Sequence, residues 1–100
     1  MSAKKTQNGA VSLTAKEFRS IAKALSDPRR YDILRMIAAT KECTCMALRE
    51  EFPISPATMS HHLKELESAG LITIPREGKY AYPTFRREVW NAYLAKLTEL

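Results

Sequence analysis

The stretch SPATMSHHLK, residues 55–64, decides how this chain is expected to fold. A serine followed by a proline is typical of a helix start, because the serine hydroxyl accepts a hydrogen bond from a free backbone N–H and proline suits the first helical position. The helix is expected to end at Gly70, since glycine is the usual residue just after a helix. With successive residues turned by about 100°, Met59, Leu63 and Leu66 fall on one stripe. We therefore predict that this helix packs against the core through that stripe.

The opposite face of this predicted helix is small and polar. His61 lies about 200° from Met59 around the axis, whereas His62 lies about 60° from the apolar stripe and is expected to be half-buried. Short polar side chains let a helix come close enough to a DNA groove to meet base edges. Hydroxyls and free N–H groups at the helix N-terminus can hold phosphates. The candidate DNA contacts on this helix are Ser55, Ala57, Thr58, Ser60, His61, His62 and Lys64.

Three helices are predicted before this one, each from a cap followed by apolar residues at helical spacing. A capping box at residues 14–17 starts the first. Asp27 and the proline after it start the second, which runs to about residue 40. Thr44 is the expected cap of a short third helix over about residues 45–52.

A small β-hairpin is predicted after residue 70, where the apolar pattern no longer has helical spacing. Residues 71–74 and 80–82 are the expected strands and residues 76–79 the turn. The hairpin should be short and at an edge, because Pro75 and Pro83 cannot donate to a ladder. Cations at such a tip can reach a phosphate or a minor groove. The candidate DNA contacts here are Arg76, Lys79 and Tyr80.

The order of these elements predicts the fold class. Four helices, a hairpin and a last helix from about residue 86 make a mainly α protein with a small β-hairpin, the winged helix-turn-helix. We expect this domain to span residues 13–100, after a flexible basic arm at residues 1–12.

The charge balance narrows the classes of function. A net charge of +5, from 16 Lys and Arg against 11 Asp and Glu, favours an anionic partner such as DNA or an acidic membrane surface. No stretch approaches the roughly 20 apolar residues of a membrane helix, so we expect a cytoplasmic protein without membrane contact. The sequence shows no carboxylate pair, nucleophile–base motif or glycine-rich phosphate loop, and an enzyme is not expected. A winged-helix module that binds protein instead of DNA stays open as an alternative.

Three motifs resemble those of one family. Residues 24–34, ALSDPRRYDIL, resemble the ALSDPTRLxIL signature of the ArsR/SmtB repressors. Residues 55–66 resemble that family's recognition helix, SQPTVSHHLKxL, and residues 69–72 and 76–79 resemble the start of its wing. The resemblance implies a homodimeric repressor that pairs through its first and last helices and leaves its operator when an inducer binds.

The first and last predicted helices agree with such pairing, because both carry apolar stripes at the ends of a short chain. A two-fold dimer would match a palindromic double-stranded operator. The expected interface residues are Phe18, Ile21, Leu25, Trp90, Tyr93, Leu94 and Leu97.

The segment around Cys43 and Cys45 resembles the ELCVCDL segment that holds As(III) or soft metals in metalloid-sensing members. Thiolates suit such ions, and the start of a helix should favour the thiolate form. The family's third cysteine is replaced here by Leu48, and the aspartate after its second cysteine is replaced by Met46. Two cysteines do not supply the roughly four ligands of a zinc site. No cofactor is expected to be required, and three roles stay open for the pair: a soft-metal or As(III) inducer site, a thiol-redox response, or none.

Overall fold

The computed structural model describes residues 4–5 and 11–100. The helices are α1 (Ala15–Ala24), α2 (Pro28–Ala39), α3 (Cys45–Glu51), α4 (Pro56–Ser68) and α5 (Arg87–Leu97). The strands are β1 (Lys4–Lys5), β2 (Val11–Ser12), β3 (Ile72–Thr73), β4 (Arg76–Glu77), β5 (Tyr80–Ala81) and β6 (Thr84–Phe85). This order confirms the predicted winged helix-turn-helix, whose wing is formed by β3 to β6.

The first four helices start at the residues that the sequence predicts. Thr14 and Glu17 form a reciprocal capping box, with hydrogen bonds of 2.8 and 3.1 Å. The side chains of Asp27, Thr44 and Ser55 each accept a hydrogen bond from the backbone N–H three residues later. Caps of this kind stabilise a helical protein by about 1 kcal/mol each.

One core holds the helices and the base of the wing together. Met59, Leu63 and Leu66 are all buried, which confirms the predicted stripe of α4. They join apolar side chains from the other helices and from β3. The fully buried members of the core are Ile21, Ile33, Cys43, Leu48, Met59, Leu66, Leu71 and Ile72.

The wing is longer than predicted and its strands pair differently. β3 pairs with β6 and β4 pairs with β5, both antiparallel. The prediction that residues 76–79 form the turn is wrong, because Arg76 and Glu77 belong to a strand and the turn contains only two residues. Gly78 supplies the positive φ of that turn, at 61°. The ladder is interrupted between its two halves, where Pro75 and Pro83 lack the N–H that a continuous ladder needs.

Gly70 controls the passage from α4 into the wing. Its φ is 82°, and its N–H donates to the carbonyl of Glu67 at 2.9 Å. The N–H of Leu71 donates to the carbonyl of Leu66 at 3.1 Å, which completes a Schellman motif. Leu71 is fully buried directly after this cap. The chain therefore leaves the helix in a fixed direction and enters the core at once.

The expected arm at residues 1–12 falls largely outside the described residues. In the described part, β1 pairs with β2, with Lys4 opposite Ser12 and Lys5 opposite Val11. None of the helices in residues 11–100 is both long and apolar enough to cross a membrane.

Candidate nucleic-acid interface

α4 exposes the polar face that the sequence predicts. Ala57, Ser60, His61 and Lys64 are exposed on one side of the helix, while the apolar stripe holds the other side in the core. The exposed side chains are short or end in a polar group, as close approach to a base edge requires. Their contact with DNA stays a prediction.

The start of α4 shows how two of the candidate residues use their hydroxyls. The Ser55 hydroxyl oxygen accepts from the backbone N–H of Thr58 at 3.1 Å, and the hydroxyl donates to Thr58 Oγ1 at 2.9 Å. The Ser55 proton is therefore used inside the cap. The Thr58 hydroxyl oxygen accepts that proton and can still donate its own.

A cationic groove lies between α3, α4 and the wing. Its volume is about 390 Å³, and Arg49, Arg76, Lys79 and Ser60 are among the residues that line it. None of the described residues that line it is acidic. The groove brings predicted residues of α4 and of the wing together over one surface, where a DNA strand can meet several cations at once.

Arg49 is the residue of this groove that the sequence analysis missed. It is exposed and lies in the last turn of α3. Its only signal in the sequence was a cation on the helix before the recognition helix, and such cations are common on solvated surfaces.

The tip of the wing carries a cation next to aromatic rings. Lys79 Nζ lies 5.6 Å from the centre of the Tyr80 ring, and that ring lies 6.4 Å from the ring of Tyr82. Tyr80 remains 41% exposed. The ring limits where the lysine side chain can move while its charge stays available to solvent or to a phosphate.

The structure corrects the inclusion of His62 among the DNA contacts. His62 is only 6% exposed, and its Nδ1 accepts a hydrogen bond from Arg30 Nε at 3.2 Å. Burial lowers the pKa of His62, and Arg30 and His61 lower it further, while Asp27 acts in the opposite direction. His62 therefore belongs to the interior, where it joins α4 to α2, and the expectation that it packs at the edge of the core is confirmed.

Two of the residues expected at a dimer interface are buried within the protomer. Ile21 has no exposed surface, and Tyr93 is 8% exposed because it packs against Phe18, with ring centres 5.0 Å apart. The prediction for Ile21 is wrong, since a side chain without accessible surface cannot contact a partner, whereas Tyr93 leaves only a small surface for such a contact. Leu94 and Leu97 are 41% and 39% exposed. The other expected residues, Phe18, Leu25 and Trp90, are half-buried at the edge of the core.

Both cysteines are free, and they occupy different environments. Cys43 is 2% exposed in the core, whereas Cys45 is half-buried and lines the cationic groove. Burial raises the pKa of both thiols, and at Cys45 the charges of Arg49 and Arg76 offset only part of this effect. The expectation that the helix start favours the thiolates is therefore wrong.

The residues around the pair do not fit a three-ligand As(III) site within one protomer. Leu48, at the position of the family's third cysteine, is fully buried. Within residues 4–5 and 11–100, no cluster of three His, Cys, Asp or Glu side chains could hold a metal ion.

Known proteins resemble this chain in sequence and in fold. A family model described as a helix-turn-helix domain matches residues 25–75. The arsenical resistance operon repressor of Staphylococcus xylosus is 39% identical over 71 residues, which are 70% of this chain and 67% of that protein. The solved structure of an ArsR-like transcriptional regulator from Rhodococcus sp. RHA1 has a TM-score of 0.76 at 24% identity, over 84% of this chain and 78% of that one, and shows the fold alone.

A second solved structure is the homodimeric winged helix-turn-helix DNA-binding domain of a possible ArsR-family regulator from Mycobacterium bovis. Its TM-score is 0.70 at 27% identity, over 84% of this chain and 79% of that one. Together with the matching motifs, these likenesses place the described fold in one family. The chain belongs to the ArsR family of winged helix-turn-helix transcriptional regulators.

Proposed function

We propose that this protein is a homodimeric repressor that binds a palindromic double-stranded operator and has no catalytic role. The observation that carries the proposal is the exposed polar face of α4 beside a groove lined by Arg49, Arg76 and Lys79. α4 is the right size for the major groove, with His61 and Lys64 directed to base edges. The wing cations then lie against the phosphates of the flanking DNA. Such a regulator works in the cytoplasm, where its free thiols are kept reduced.

The dimer is proposed to form through the outer faces of α5 and α1. Leu94 and Leu97 lie three residues apart on α5 and both are exposed, so they form one apolar strip with the half-buried Trp90. A two-fold axis through this surface would set two copies of α4 about one helical turn of DNA apart, some 34–36 Å.

DNA binding is tested by fluorescence anisotropy with the DNA upstream of the protein's own gene and a scrambled duplex of equal length. We expect the wild type to prefer the upstream DNA, and His61→Ala to lose this preference while it still binds both duplexes. Equal affinity of the wild type for the two duplexes at every salt concentration would contradict sequence-specific binding.

The dimer is tested by analytical ultracentrifugation of wild type and Leu94→Glu. Burying an unpartnered carboxylate is unfavourable, so this variant should sediment as a monomer and bind the operator more weakly. Glu99→Gln is the matched control on an exposed residue after the end of α5. A wild-type monomer that binds DNA fully would contradict the proposal.

We also propose that an inducer acts through Cys45 and not through Cys43, either a thiol-reactive compound or a soft metal or As(III) whose other ligands come from outside the protomer. Cys45 lines the groove beside α4, whereas Cys43 lies in the core. Release of DNA by arsenite and by a thiol oxidant is compared in Cys45→Ser and Cys43→Ser. Release that survives in Cys45→Ser would refute this proposal.

A further inference from the structure

One buried guanidinium links three helices of this fold. Arg30, the third residue of α2, is only 8% exposed. Its Nε donates to His62 Nδ1 in the middle of α4, and one terminal nitrogen donates to the carbonyl of Ala24, each at 3.2 Å. Ala24 is the last residue of α1. The two sequence motifs that carry Arg30 and His62 are therefore joined by a direct hydrogen bond across 32 positions of sequence.

The surroundings of Arg30 suit a positively charged side chain. Its guanidinium lies at the carbonyl end of α1, where the helix dipole favours a cation. The carboxylate of Asp27 caps the same α2 helix and interacts electrostatically with both Arg30 and His62. Arginine stays protonated in proteins and has no acceptor atom. The Nε–H can only donate, so Nδ1 of His62 must keep its lone pair, and the histidine must be neutral with its proton on Nε2.

Protonation of His62 is incompatible with this arrangement. A histidinium carries a proton on both ring nitrogens, so Nδ1 would no longer accept from Arg30 and two cations would face each other. The charged or titratable groups that act on His62 are Asp27, Arg29 and Arg30 from α2 and its cap, and His61 from α4 itself. The one acidic group among them is Asp27, which already caps α2.

The hydrogen bond from Arg30 to His62 also fixes the rotation of α4 about its own axis. Apolar contacts at Met59, Leu63 and Leu66 are not directional, and they allow a helix to rotate by some degrees. A directional bond to His62 removes that freedom. His61 and Lys64 follow the same rotation, and a recognition surface works only when it is held within about 0.5 Å of its productive geometry.

We propose that Arg30 is a positioning residue for the recognition helix, that it acts through neutral His62, and that protonation of His62 therefore releases DNA. This inference rests on the proposed DNA-binding function. The direction of the expected pH effect distinguishes this inference from general electrostatics. Acidification makes the protein and the exposed His61 more positive, which alone would strengthen DNA binding, whereas the inference requires binding to weaken.

The test is operator affinity from pH 7.5 to one unit below the pKa of His62, which NMR of the histidine ring nitrogens gives in the free protein. Only the neutral form is competent, so below the pKa of His62 the Kd of the wild type should rise about tenfold per pH unit. His61→Asn should keep this loss. His62→Asn places an oxygen acceptor where Nδ1 lies but cannot titrate, so it should bind DNA without the loss. Circular dichroism at each pH shows that the protein stays folded.

A second pair of variants tests the donor. Arg30→Met keeps much of the side-chain volume and should weaken operator binding about tenfold at pH 7.5, the equivalent of one hydrogen bond to a charged group. The salt dependence of binding should not change, because no phosphate contact is removed. Arg29→Met removes the neighbouring exposed cation, which makes no hydrogen bond to His62, and should bind as wild type does.

Several results would overturn the inference. Wild-type affinity that is constant or rises at pH values below the His62 pKa measured by NMR would do so, as would an equal loss in His62→Asn. A ring proton on Nδ1, or a His62 pKa at or above its ordinary value of 6.5, would overturn it whether or not the protein binds DNA. If the wild type fails to bind DNA at pH 7.5, the proposed function fails, while the NMR measurement still decides between a neutral and a charged His62.

Discussion

Removing the charge of Lys79 should lower the salt dependence of DNA binding by a definite amount. Lys79 lies in the turn of the wing and lines the groove with Arg49 and Arg76. If it contacts a phosphate, each contact releases condensed counterions and makes the slope of log K against log salt concentration about 0.9 more negative. Since a dimer carries two wings, Lys79→Ala should make that slope about 1.8 less negative.

The same reasoning gives the size of the effect for the whole groove. Substituting Arg49, Arg76 and Lys79 together removes six cations from a dimer and should make the slope about 5 less negative. The relative preference for the operator over a scrambled duplex should change little in Lys79→Ala, because a phosphate contact carries no sequence information.

The measurement is a series of anisotropy titrations at 50 to 300 mM salt, about the range in which this dependence is steep. Lys96→Ala is the matched control, since Lys96 is an exposed lysine in the last turn of α5 and does not line the groove. It should leave the slope unchanged. Equal slopes for the wild type and the triple variant would refute the assignment of the groove to DNA.

Three further predictions follow from single residues. Gly70→Ala should lower the free energy of unfolding by about 1 kcal/mol in urea titration, because Gly70 has a φ of 82° that alanine adopts with strain; an unchanged value would contradict the cap. The free energy of unfolding should be constant above about pH 7 and should fall as the pH drops towards the lowered pKa of His62, because the unfolded state takes up the proton first. The fall should be at most about 1.4 kcal/mol per pH unit, and His62→Asn should abolish it. A free energy of unfolding that rises on acidification would contradict this prediction. Iodoacetamide should label Cys45 before Cys43 in the native protein and both equally in urea, so faster labelling of Cys43 would contradict its burial.

The helices could be predicted because their signals are local. Thr14, Asp27, Thr44 and Ser55 each cap a helix within three residues of their own position, so a short window of sequence contains both partners. The helical wheel also separated His61 from His62, since angle around a single axis depends only on sequence spacing.

The wing and the dimer surface were predicted less well because they depend on contacts between distant segments. Pairing of β3 with β6 spans the whole wing, and two-residue strands carry almost no periodic signal. The apolar stripe on α1 does not show by itself whether Ile21 faces the core of the protomer or a partner subunit. That distinction requires the position of α5, which packs against α1. The link from Arg30 to His62 needed the packed structure for the same reason.

The Schellman cap at Gly70 has a consequence for the entropy of binding. It ties the end of α4 to buried Leu71, so the helix and the base of the wing form one rigid unit. If α4 contacts bases and the wing contacts phosphates as proposed, the conformational freedom between these two parts is lost when the chain folds and not when it meets DNA, a preorganisation that favours tight complexes. A longer or looser link at this point would keep every contact residue and still weaken the complex.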